Sequence, residues 1–381
     1  MRLFIIRRMM ALIACGLVVT SATAAPSSIN AGTNQAQKEF DFTVETVAQF
    51  NRPWSMAFLP DQGLLITEKP GKLYQLDAQG DKTMVSGVPH VYNQGQNGLL
   101  DVALAPDFSE SGKIYLSYVA PKSGGGVLTL MRAHLAKHNG GWVLEDAQQL
   151  WQHPQPSHGG QPGGIIAFAP SGDALFFSSG DRMQAKFAQV PEDARGKILR
   201  LTLDGKPMAD NPWADASGIQ PTLWTLGHRN PYGLAFDAHG RLWSHEMGPK
   251  GGDEFNLIKP GKNYGWPLVS NGDEYDGTPI PDHDSRPELE APRVYWTPVI
   301  SPSGLAFYEH DLFADWQGSA LIGGLSSQAL IRVAFDADGQ PDEVQRFAMG
   351  SRIRDVGVDA DGAIWLLEDG NQARLLKLLP K

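Results

Sequence analysis

Three glycine-rich segments hold the chain's densest run of groups able to do chemistry: Leu226-Gly227-His228-Arg229-Asn230-Pro231, Glu246-Met247-Gly248-Pro249-Lys250-Gly251-Gly252-Asp253-Glu254 and Gly261-Lys262-Asn263-Tyr264-Gly265-Trp266-Pro267. Glycine and proline set unusual backbone that can turn carbonyl oxygens toward a hard cation, and Asp253-Glu254 adds carboxylates. The alternative is a tightly turned loop with solvated acids. A second segment, Ser157-His158-Gly159-Gly160-Gln161, surrounds one imidazole with residues that leave room for a large molecule to approach. Ser179-Gly180-Asp181-Arg182 follows it. Asp181 beside His158 would fix the imidazole tautomer and raise its basicity, as a general base requires. A structural histidine in a glycine-rich turn is the competing account. In a third segment, Ser351-Arg352-Ile353-Arg354-Asp355, the arginines sit two apart. Side chains at that spacing leave a strand on one side, so both could grip a planar polycarboxylate. Surface pairing with Asp355 or Asp359 is the plainer possibility. Gly95-Gln96-Asn97-Gly98 presents two amides at a turn, a weak signal alone.

The elements that must position these groups are short. A turn followed by an apolar strand recurs six times, at Pro60–Gly63, Ser111–Lys113, Pro170–Asp173, Ala238–Gly240, Trp316–Gly318 and Asp359–Gly362. Long amphipathic helices are not apparent. Six such units predict an all-β, six-bladed β-propeller of four-stranded antiparallel blades, because one small sheet cannot cover both of its faces and radial stacking covers all of them. The wider spacing between Gly172 and Gly318 predicts extra loops on one face, where propellers commonly carry their sites.

The boundaries read as 1–24 signal peptide, 25–40 flexible segment and 41–381 propeller. Arg2, Arg7 and Arg8 precede an apolar run that ends at Ala22-Thr23-Ala24, the pattern of a cleaved export signal. The run is shorter than the roughly 20 residues that span a bilayer. The single cysteine, Cys15, lies in this segment, so a mature chain has no disulfide and no cysteine-ligated metal. Removing the three arginines takes the net charge from −10 to −13, which disfavours nucleic acid and anionic lipid. A soluble, periplasmic or secreted monomer or homodimer is expected.

Together these segments resemble the soluble glucose and aldose sugar dehydrogenases, also called glucose/sorbosone dehydrogenases. The resemblance spans nearly the whole mature chain and is most specific from Gly227-His228-Arg229-Asn230-Pro231 through Gly248-Pro249 and Asp253-Glu254 to Asn263-Tyr264-Gly265-Trp266-Pro267. It implies pyrroloquinoline quinone on the propeller's top face, with Ca2+ held by the carbonyls of Gly248 and Pro249. His158 would be the base that takes the sugar's anomeric proton, and Asp181 would orient it. Gln96, Arg229 and Asn230 carry over as cofactor-side residues, Arg229 also stabilising the reduced quinone. Arg352 and Arg354 carry over as clamps on cofactor carboxylates. Glu254 and the backbone of Tyr264 resemble part of a second, structural calcium site. An aldose substrate and an external electron acceptor follow.

Two segments depart from the family pattern. Where relatives carry a cofactor-binding lysine, this chain reads Gly323-Gly324-Leu325-Ser326-Ser327-Gln328, with Ser326 at the lysine's place. Trp296–Ser303 differs in register from the glucose-specialised relatives, so no residue is carried over there. Two other functions compete: a non-catalytic propeller that binds sugar or protein, which Ser326 favours, and a calcium-dependent lactonase. Lactonases of this shape surround their ion with carboxylates and asparagines, whereas a glycine–proline carbonyl pair favours an ion shared with a cofactor.

Overall fold

The computed structural model describes residues 28–61 and 63–381; the proposed signal peptide lies outside them. Six sheets form the blades of a β-propeller, each of four antiparallel strands, with a fifth, parallel strand added at the outer edge of blade four. From blade one to blade six the innermost strands are Pro53–Phe58, Leu99–Leu104, Gly163–Phe168, Pro231–Phe236, Pro302–Tyr308 and Ile353–Val358. The second strands are Leu64–Glu68, Lys113–Lys122, Ala174–Ser179, Leu242–Glu246, Ser319–Gly324 and Ile364–Glu368, so each of the six turn-strand repeats supplies the second strand of a blade. No helix among the described residues is long and apolar enough to cross a membrane.

Two of the turns that start these strands share a physical device. In blade four the Asp237 carboxylate accepts the amides of His239 and Arg241, and in blade six Asp359 accepts those of Asp361 and Ala363. The second oxygen of each aspartate takes the indole N–H of the following strand's Trp243 or Trp365. Gly240 (φ 73°) and Gly362 (φ 86°) provide the left-handed residue that closes each turn.

The strands these turns launch are buried on both faces, which explains their continuous apolar runs, such as Ile364-Trp365-Leu366-Leu367. Six apolar clusters fill the six clefts between neighbouring blades; Leu65 and Leu116 meet between blades one and two, Tyr308 and Leu366 between five and six. At about 1.5–3 kcal/mol for each fully buried large aliphatic side chain, stacking of blades is the main favourable term.

The ring closes through Phe42–Phe50, which pairs antiparallel with Ala373–Pro380 and completes blade six from the other end of the chain. The segment before it departs from expectation. Residues 28–40, read as flexible, are tied down: Ile29–Asn30 pairs in parallel with Val294–Tyr295 on the outer edge of blade four, Ala31 is buried, and Gln37 exchanges backbone bonds with Arg346 and Ala348 of blade five. A polar composition does not reveal this, because an open sheet edge recruits backbone groups whatever their side chains. The long middle insertion adds the two-stranded pair Lys250–Gly251 with Gly272–Asp273 above blade four.

Candidate active site on the upper face

Pairing of Pro53 with Glu68, Pro231 with Glu246 and Ile353 with Glu368 puts the starts of inner strands and the ends of second strands at one end of the barrel. Nearly every residue singled out above sits at one of these two positions or in the loops beside them. Two alternating registers therefore converge six times on the same face.

His158 is exposed on this face. Its Nδ1 lies 2.9 Å from the Tyr92 hydroxyl, which donates its single proton to Gln94 Oε1 at 2.7 Å. With that bond made, the hydroxyl can accept from Nδ1–H, the tautomer that leaves the Nε2 lone pair free. Asp181 is not the partner. Its two oxygens accept from the Met183 amide and the Trp266 indole, each at 2.9 Å. Sequence order brought the two residues to one face but could not show that Tyr92 from the preceding loop would reach the imidazole first. Around His158 the glycines allow close approach: a Cβ at Gly160 would meet Gln96 Oε1 at 2.5 Å. The same oxygen accepts the Gln161 amide, tying the Gln96 turn to the His158 loop.

Asp181 instead organises Arg229. The Asp181 amide donates to the Arg229 carbonyl at 2.8 Å. The Gln161 side chain, its nitrogen turned to Asp181 Oδ1, offers its oxygen to Arg229 Nη2 at 2.8 Å. Burial pushes the Asp181 carboxyl above the ordinary range, opposed by the Trp266 bond and the Arg229 charge. Arg229 Nη1 donates to the carbonyls of both Met247 and Gly248 at 2.9 Å, and Nη2 donates to the Tyr275 hydroxyl at 3.1 Å. Pro249 is buried behind this pair. Asn230 accepts the Gly163 amide through Oδ1 while its buried Nδ2 has no partner. The neighbouring His228 is wholly buried between Glu246 and Thr225 and is structural.

Arg352 and Arg354 point the same way, as their spacing implies, and both reach Asp369 rather than Asp355 or Asp359, at 2.8 and 3.0 Å. They line a cavity of about 400 Å³ with Arg52, Lys69 and Gln96. Such a volume suits a small molecule or cofactor. Trp54 and Tyr232 form its floor, with the Arg354 guanidinium 4.3 Å above the Trp54 ring, and the buried Tyr232 hydroxyl has no partner. Arg52, Lys69, Asp369 and Tyr92 were missed in the sequence. A signal for the first three existed: Arg52 and Arg352 both stand immediately before an inner strand, and Lys69 and Asp369 both follow the glutamate that ends a second strand.

Of the residues assigned to a second calcium, Glu254 is paired with an imidazole and an amide, His283 Nε2 at 3.1 Å from one oxygen and the Asn256 amide at 2.9 Å from the other. The Tyr264 ring is packed on His228 with its hydroxyl donated to the Leu257 carbonyl, so only its backbone oxygen could serve an ion. The imidazole beside Glu254 comes from 29 residues downstream, which no local spacing could reveal.

The family model described as Glucose / Sorbosone dehydrogenase matches residues 50–377. The aldose sugar dehydrogenase YliI of Escherichia coli is 38% identical over 341 residues, covering 87% of this chain and 91% of that one. A crystal structure of a glucose dehydrogenase superposes with a TM-score of 0.83 at 41% identity, over 88% of this chain and 99% of the other. The PQQ-bound form of an aldose sugar dehydrogenase from Streptomyces coelicolor gives a TM-score of 0.72 at 30% identity, over 91% of this chain and 99% of that one.

Proposed function

The chain belongs to the glucose/sorbosone dehydrogenase family, and we propose that it is a sugar oxidoreductase that holds pyrroloquinoline quinone and calcium on its upper face and oxidises aldoses at the anomeric carbon to lactones. The observation that carries this reading is the cation-rich cavity, tied to the His158 loop through Gln96.

The cavity suits a planar polycarboxylate on this chain's own terms. Four cationic side chains face it against the single carboxylate of Asp369, and the Tyr232 hydroxyl is an unpaired buried donor. A buried donor left unmade costs about 1–3 kcal/mol, which a bound acceptor would recover. For calcium the resemblance names the carbonyls of Gly248 and Pro249; the Gly248 oxygen accepts one bond from Arg229 Nη1 and keeps a second lone pair for an ion.

When bound, the quinone supplies the acceptor for the hydride that leaves the anomeric carbon, and calcium polarises that acceptor. His158 Nε2 takes the proton of the anomeric hydroxyl, a step that contributes about 10²–10⁴-fold. Tyr92 and Gln94 hold the imidazole in the tautomer able to accept it. Arg229, fixed by Gln161 and two carbonyls, presents positive charge that needs no rearrangement as negative charge grows beside it. Electrons leave to an external acceptor. Residues 1–24 support export to the periplasm with cleavage after Ala24, so the exported chain should begin at Ala25; a mature chain that keeps the earlier residues would refute this.

The direct test supplies the apoprotein with calcium and pyrroloquinoline quinone and follows sugar-dependent dye reduction over a panel of aldoses. Activity should need both additions. Activity with NAD alone, or lactone hydrolysis without the quinone, would overturn the reading.

A further inference from the structure

Blades one and six aim four cations into the cavity from matched positions. Arg52 precedes the inner strand Pro53–Phe58 as Arg352 precedes Ile353–Val358, and Lys69 follows Glu68 as Asp369 follows Glu368. Arg352 and Arg354 share Asp369. Among the described residues no carboxylate lies within ion-pair distance of Arg52 or Lys69. The half-buried Lys69 ammonium has one neutral acceptor, the Gly95 carbonyl at 2.5 Å. Burial first, then the charges of Arg52 and Arg354, hold its pKa below the usual lysine value against the pull of Asp369. Partly buried charge without a counter-charge is costly, and that cost is relieved when an anion enters. On blade five, Leu325 lines the cavity, but the Ser326 hydroxyl turns to the Val299 carbonyl at 3.3 Å and brings no charge.

We propose that Arg52 and Lys69 form a second cationic wall that takes a carboxylate of the polyanionic cofactor, doing for this chain what a lysine at the Ser326 position does in its relatives. The inference rests on the quinone reading and adds to it the residues that set affinity. Arg352 and Arg354 grip from blade six, while Arg52 and Lys69 grip from blade one. The same lysine also braces the turn that carries Gln96, so charge and bracing must be separated.

The test is equilibrium titration of the full apoprotein with pyrroloquinoline quinone in calcium buffer, followed by quenching of tryptophan fluorescence, at two salt concentrations. Lys69→Gln keeps a donor for Gly95 but loses the charge, and Arg52→Gln loses the other; each should weaken binding about tenfold or more and flatten the salt dependence. Lys69→Arg should retain wild-type affinity. Ser326→Lys should restore affinity to Lys69→Gln by returning a cation from the opposite wall. Wild-type binding with unchanged affinity in both glutamine variants would overturn the proposal, and so would a Lys69→Arg chain as weak as Lys69→Gln, which would mark a bracing role. A wild-type chain that binds no quinone would instead overturn the cofactor reading and this inference with it.

Discussion

The two halves of the upper face are built in opposite ways. On blades three and four the charged groups are answered: Arg229 has the carbonyls of Met247 and Gly248, the Tyr275 hydroxyl and the Gln161 amide, and both oxygens of Asp181 are bonded. On blades six and one, four cations face one carboxylate, which pairs with only two of them. A saturated network holds its members rigidly and sets geometry. An unsaturated one stores a field that a ligand of opposite charge completes. The first half is suited to place reacting atoms, the second to pay for binding a polyanion.

The sharpest break between the halves is expected at His158. His158→Ala should lower single-turnover reduction of bound quinone by sugar by roughly 10²-fold or more, with quinone affinity unchanged. Near-normal reduction would return His158 to a structural role. A smaller effect separates its two candidate orienting groups. Tyr92→Phe removes the acceptor on Nδ1 and should cut that rate about tenfold while moving its pH profile, since a hydrogen bond of this kind contributes about 0.5–1.5 kcal/mol. Asp181→Asn should slow the reaction through Arg229 yet leave the pH profile in place, because Asp181 does not touch the imidazole. A shifted profile in the asparagine variant would put Asp181 back beside His158 in the working enzyme.

The smallest effect expected is a pH dependence that reads the unsaturated half from below. Asp355 lines an axial cavity of about 180 Å³ that shares Trp54, Tyr232 and Arg354 with the site above. Burial pushes its carboxyl up to about 8, with nearby Asp101 adding to the rise. Below that pH Asp355 is neutral and the cations above it are uncompensated. Above it the new negative charge weakens the pull on an anion. Quinone affinity should therefore fall several-fold between pH 7 and pH 9, within the few-kcal/mol range of such charge effects. Asp355→Asn should blunt the fall. Affinity flat across this range in the wild type would show that the cavity below is electrically silent.

Much of the fold was legible. The turn-strand repeat depends only on local chemistry, an aspartate and a glycine ahead of a two-sided apolar strand, and all six copies proved to be second strands. The site was legible by type and less so by partner. His158, Arg229, Arg352 and Arg354 do lie on one face, yet Tyr92 replaced Asp181, Asp369 replaced Asp355 and Asp359, and His283 took the carboxylate assigned to a metal. Residues 28–40 misled for the same reason, since what orders them is a sheet edge about 265 residues away.

By itself the sequence determined the repeating unit, the number of repeats and which residue types stand at strand ends, because turn chemistry and apolar periodicity act over a few neighbours. Which of those strand-end groups touch was decided only when the ring closed and brought blade one against blade six. A hydrogen bond or ion pair depends on a separation of a few ångströms between atoms, and in a propeller that separation is set by the stacking of whole blades rather than by distance along the chain. Arg52 and Lys69 became part of the site in this way: nothing local to either residue speaks of a ligand, and only the closed ring turns them onto the cavity that Arg352 and Arg354 line.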